Sequence, residues 1–220
     1  MPANPMQMIF FVIVLGLLLT FIQVGALTVA FEKLGLSAQS AFLLLFCSLI
    51  GSAINLPFMT VDAERPASDS IPAHLRELVQ RNLQRFNGTT HIAINVGGCL
   101  IPVIFSYYLI FHHPLPIPDV IAATLIVTFI SRLTSRPVPG VGIAMPIFVG
   151  PLAAAVTAIG INPDQSAPLA YICGTLGVLI GADLLRLRDI RKMGAPIASI
   201  GGAGTFDGIF ITGIVAVLLA

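Results

Sequence analysis

Asp183 and Asp207 are the residues best placed to do chemistry in this sequence. Each carboxylate lies in an apolar run beside glycines: Gly177 and Gly181 precede Asp183, and Gly204 and Gly208 bracket Asp207. An ionisable side chain in such a run is costly and is usually kept for use. Glycines four residues apart let helices approach closely. Two carboxylates held a few ångströms apart in a low dielectric cannot both ionise comfortably. They share a proton, which is the condition for hydrolysis by paired aspartates. Plainer roles are open to both. Asp183 precedes Arg186 by one helical turn and could pair with it, and Asp207 could be a first-turn residue favoured by a helix dipole.

A second set of residues offers binding rather than proton transfer: Asn55, His91, Asn95, Arg136, Pro139, Gly204 and Gly208. The asparagines and His91 stand at the ends of apolar runs. Arg136 and Pro139 belong to Arg136-Pro137-Val138-Pro139-Gly140-Val141-Gly142, which is too rich in proline and glycine for a helix and is expected to line a cavity. Gly202-Ala203-Gly204 is not followed by the lysine of a phosphate loop, and no strand is expected before it. Cys47, Cys99 and Cys173 sit singly in apolar runs and read as small hydrophobes. Neither a metal nor a cofactor is expected.

The elements that must position these residues follow from composition. Hydrophobic residues make up 56% of the 220 and charged residues 10%, with mean hydropathy +0.97. A soluble domain carries roughly 25% charged residues, so lipid is the expected solvent for most of the surface. The net charge of +1, without a basic stripe, gives no footprint for nucleic acid.

The expected fold is therefore all-α: one polytopic transmembrane bundle over residues 1–220 with about seven spans. They fall near residues 8–29, 40–58, 92–111, 119–133, 143–161, 167–185 and 200–220. The polar stretch at about residues 60–90 is expected as an amphipathic segment on the cytoplasmic surface. Lys33 is the one basic residue outside the even-numbered loops. The bias of lysine and arginine then places the N-terminus in the cytoplasm and the C-terminus outside. On that path the candidate residues converge at the cytoplasmic third of an inner, cytoplasmic membrane.

Four stretches carry a resemblance: Phe31-Glu32-Lys33-Leu34-Gly35, Ile94-Asn95-Val96-Gly97-Gly98, the Arg136–Gly142 segment, and Gly201-Gly202-Ala203-Gly204-Thr205-Phe206-Asp207-Gly208-Ile209-Phe210. They resemble an uncharacterised bacterial and archaeal family of polytopic membrane proteins, a domain of unknown function, over nearly the whole chain. More distantly, the layout of the two aspartates resembles the presenilin and signal-peptide-peptidase class of intramembrane aspartyl proteases. That likeness implies Asp183 and Asp207 as the catalytic pair. The chain departs from that class in having Ala182-Asp183 for its Tyr-Asp, in the insertion of Thr205-Phe206 before Asp207, and in lacking its Pro-Ala-Leu motif.

Three functions stay open on these residues: an intramembrane aspartyl protease acting on a transmembrane peptide, a transporter or channel using the aspartates as a proton or cation site, and a non-catalytic membrane accessory subunit.

Overall fold

The computed structural model describes residues 25–64, 86–138, 142–202 and 208–220. Among these residues there are seven helices and five strands. The helices are α1 (Gly25–Lys33), α2 (Ala38–Ser52), α3 (Ile101–His112), α4 (Ile117–Thr134), α5 (Val149–Ile161), α6 (Ser166–Val178) and α7 (Gly208–Leu219). The strands are β1 (Asn55–Asp62), β2 (Thr89–Asn95), β3 (Arg136–Val138), β4 (Gly142–Ala144) and β5 (Ile197–Ile200). A π turn over Val96–Leu100 leads into α3. Short 3₁₀ and π stretches extend α6 into one helical run from Pro163 to Lys192.

The expectation of an all-α bundle of about seven spans is overturned. Among the described residues two helical runs, Ile117–Thr134 and Pro163–Lys192, are long and apolar enough to cross a membrane. A third candidate exists only if α1 and α2, bent by 107° at their junction, are taken as one span. Several of the expected spans are strand at one end instead of helix. The run expected at residues 40–58 leaves its helix at Ser52 and continues as β1, and the run at 92–111 begins inside β2. The span expected from residue 200 begins as the end of β5, and the one from 143 does not become helical until Val149.

The physical reason is that hydropathy averages over both periods. Thr89-Thr90-His91-Ile92-Ala93-Ile94-Asn95 is β-branched at four of its seven positions, which favours the pleated backbone. The amphipathic helix expected over 60–90 gives way at both ends to the strands β1 and β2, and its middle lies outside the described residues. The proposed membrane orientation depended on the parity of seven crossings and falls with that count.

Three strands form one sheet in the order β1-β2-β5. β1 is antiparallel to β2, with Asn55 opposite Asn95 and an irregularity between Pro57 and Met59. Proline cannot donate to a ladder, and an edge strand tolerates it. β2 runs parallel to β5, from His91 opposite Ile197 to Ile94 opposite Ile200. β3 and β4 make a separate antiparallel hairpin.

α6 is the axis of the helical layer. Leu169, Ala170, Tyr171, Ile172 and Cys173 are fully buried, and α4, α5 and α7 pack around it. α4 is apolar on both sides: Val120, Ala123, Val127 and Ser131 are buried, whereas Ile121, Leu125, Phe129 and Leu133 recur at four-residue spacing on the exposed side. Gly177 and Gly181 let α6 lie directly on α4. Arg186 closes the far end of this contact by donating to the carbonyl oxygens of Arg132 and Ser135, which would otherwise be orphaned at the helix C-terminus.

Candidate functional site

β2 and β5 point the same way and a glycine pair follows each, Gly97-Gly98 after Val96 and Gly201-Gly202 directly. The crevice beyond the carboxyl ends of parallel strands is a recurrent place for ligands in open sheets. Here the two glycine turns stack on each other. A β-carbon on Gly201 would come within 2.6 Å of the Gly98 carbonyl, and one on Gly202 within 3.2 Å of Asn95 Cβ. Gly201 also adopts φ +75°, a conformation glycine tolerates at no steric cost.

Asn95 organises the first turn. It is 3% exposed, and its Oδ1 accepts from the Gly98 N–H at 2.8 Å, so it caps the helical run leading into α3. Its Nδ2 donates to the carbonyl of Ser52 at 2.8 Å and to Asn55 Oδ1 at 3.1 Å. Ser199 on β5 donates its hydroxyl to the same Asn55 oxygen. Asn55, Asn95 and Ser199 therefore form one network across all three strands.

Asp183 joins from the helical layer. It ends a π turn, Leu179–Asp183, after which the winding tightens to 3₁₀ over Leu184–Lys192. Such π turns are frequent at functional sites because one extra residue re-aims a side chain. Asp183 Oδ2 accepts from the Gly201 N–H at 2.7 Å, a charge-assisted bond to the glycine turn when the carboxylate is ionised. Arg186 is not its partner. That guanidinium donates to Asp189 at 3.1 Å and to the Ser135 hydroxyl at 3.1 Å, besides the two carbonyls that end α4. The interfacial pairing of Asp183 with Arg186 considered from sequence is thus replaced by an Arg186–Asp189 pair.

The other sequence candidates divide. His91 lies on β2, where its Nδ1 is 2.9 Å from Thr60 Oγ1. It is four residues from Asn95, roughly 13 Å along a strand, and is not part of the network. Arg136 opens β3, exposed, in the separate hairpin. Gly208 is the first residue of α7. Asp207, Gly204 and Pro139 lie outside the described residues. The structure thus brings together Asn55, Asn95 and Asp183. Ser199 was missed in the sequence, where it is a lone serine in an apolar run; reading residues 197–200 as a strand parallel to 91–94 would have exposed it.

Chemically, the site offers a carboxylate with one oxygen held by a backbone amide, an exposed carboxamide, and a hydroxyl, gathered around two glycine turns. The chain matches the model of a family described as a protein of unknown function, DUF1614, over residues 49–219. It belongs to that family. No curated protein and no solved structure matches it.

Proposed function

We propose that this DUF1614 member is a multi-pass protein of the inner, cytoplasmic membrane that hydrolyses peptide bonds in transmembrane segments, with Asp183 and Asp207 as its paired acid and base. The observation that carries the reading is the bond from the Gly201 N–H to Asp183. It fixes the carboxylate to the turn from which the chain proceeds, six residues later, to Asp207. Asp183 is also not neutralised by Arg186, which is engaged elsewhere. In the reaction, one carboxylate takes a proton from water as its oxygen attacks the peptide carbonyl carbon. The other, protonated, donates to the departing nitrogen as the C–N bond breaks. The exposed apolar side of α4 suits lipid as its solvent, and α4 and the helical run from Pro163 to Lys192 have the length of a span.

A second reading takes the same aspartates as a proton or cation site. Thr124, Thr128 and Ser131 of α4 favour it, because their buried hydroxyl oxygens have no hydrogen-bond partner among the described residues. They fall at helical spacing, and Thr128 and Ser131 lie against the glycine face of α6.

Purified protein in liposomes tests both. Cleavage of a fluorogenic transmembrane peptide, lost in both Asp183→Asn and Asp207→Asn, is the expected result. Flux reported by an internal pH dye, lost in the same variants without any cleavage, would favour transport. Wild-type protein inactive in both assays would leave the accessory-subunit reading.

A further inference from the structure

The orientation of each carboxamide in the network follows from backbone groups whose roles are fixed. The Gly98 N–H can only donate, so the Asn95 atom it meets is Oδ1. The Ser52 carbonyl can only accept, so it meets Asn95 Nδ2. The second hydrogen of that nitrogen points to Asn55, which must present its oxygen. The Ser199 hydroxyl meets the same oxygen and must donate. Both acceptor positions of Asn55 Oδ1 are thereby filled. Its Nδ2, with two N–H donors, has no partner among the described residues and belongs to an exposed side chain.

Asn55 is therefore a donor held at a set angle by two hydrogen bonds to its own oxygen. Fixed amide donors of this kind stabilise carbonyl oxygens and the oxyanions formed from them. We infer that Asn55 Nδ2 binds a peptide carbonyl oxygen of the substrate. An anionic ligand is disfavoured, because the neighbouring glycine turn already carries the Asp183 carboxylate, and a neutral carbonyl suits a neutral donor beside it. Ser199 and Asn95 are positioning residues that hold the Asn55 carboxamide. The inference rests on the peptidase reading for its substrate class.

The test uses the whole protein, labelled with ¹⁵N-asparagine, in nanodiscs. The probe is a transmembrane peptide whose scissile amide is replaced by hydroxyethylene. Titration is followed at the Asn55 side-chain NH₂ resonances, assigned with Asn55→Ala. The expected result is a saturable shift of those resonances in the wild-type protein. Probe affinity should fall about tenfold in Asn55→Ala and a few-fold in Ser199→Ala, with recovery in Ser199→Thr, which keeps the hydroxyl; tenfold is the loss of one modest hydrogen bond. Resonances that stay fixed while the probe binds elsewhere, or a probe that fails to bind the wild-type protein, would overturn the inference. Fixed Asn55 resonances with cleavage still dependent on Asp183 would remove the inference and leave the peptidase reading. Shifted resonances with cleavage absent or indifferent to Asp183 would remove the peptidase reading and leave Asn55 as a carbonyl-binding residue.

Discussion

Replacing Gly181 by alanine adds one methyl group at the tightest point between the two helices long enough to span a membrane. That β-carbon would be driven into the Thr128 carbonyl oxygen, and would lie 2.8 Å from Ser131 Cβ and 3.1 Å from the Arg132 nitrogen. Two of these three atoms are backbone, so no rotamer change relieves the overlap. α4 and α6 must separate by roughly 0.5–1 Å, which forfeits a quarter to a half of each contact along the seam. Overpacking of a close-packed interior costs about 1–3 kcal/mol, and a rigid backbone obstacle puts Gly181→Ala at the upper end, about 2–3 kcal/mol. The separation would also pull Asp183, two residues on, away from Gly201. Gly160→Ala is the control: a β-carbon there meets nothing within 4 Å, so the change should be neutral or stabilise the helix by up to about 1 kcal/mol. Reversible unfolding in mixed micelles with increasing SDS gives both numbers. Equal midpoints for Gly181→Ala and Gly160→Ala would refute the close α4–α6 contact.

Asp183→Asn keeps an oxygen able to accept from Gly201, so its unfolding free energy in mixed micelles should stay within about 1 kcal/mol of wild type while cleavage is lost; a cleaving variant refutes the acid–base role. Asn95→Asp keeps the cap on Gly98 but sets acceptors against the Ser52 carbonyl and the Asn55 oxygen, and should cost about 1–3 kcal/mol in the same unfolding assay. Arg186→Lys loses the planar fork that serves Asp189, Ser135 and Arg132 together and should cost about 1–3 kcal/mol; faster hydrogen exchange of the last turn of α4 would locate the loss. Substitution of Arg136, exposed in its own hairpin, should leave unfolding within about 0.5 kcal/mol.

What could be read in the sequence was set by which signals are local. The outward stripe of α4 repeats every four residues and is visible as written. Asn55, Asn95 and Asp183 stand out because each is polar in an apolar setting, and the fold does gather them. The strands were hidden because Ile92, Ala93 and Ile94 raise a hydropathy average as much as helical residues do. Their pairing partner lies about 100 residues away, beyond any local window. The alternative pairing of Asp183 with Arg186 fails for a related reason. One-turn spacing from Asp183 presumes α-helical winding, whereas the helix passes there from π to 3₁₀ and pairs Arg186 with Asp189.

The parallel pairing of β2 with β5 sets an order on how the molecule can be made. β1 and β2 are close in sequence and can pair early, but the outer edge of β2 then stays open until β5 arrives. Asn55 lacks its second donor until Ser199 has been synthesised, and Asp183 lacks its amide until Gly201 has. A long-range parallel contact is slow to form because loop closure precedes its reward. α4, α5 and α6 precede that point in the sequence, and α7 follows it. The polar crevice is therefore assembled late in translation, after α6 and before α7, and a chain truncated ahead of β5 carries α1 to α6 without it. Any activity that depends on the crevice is withheld until the chain has delivered β5 to the sheet.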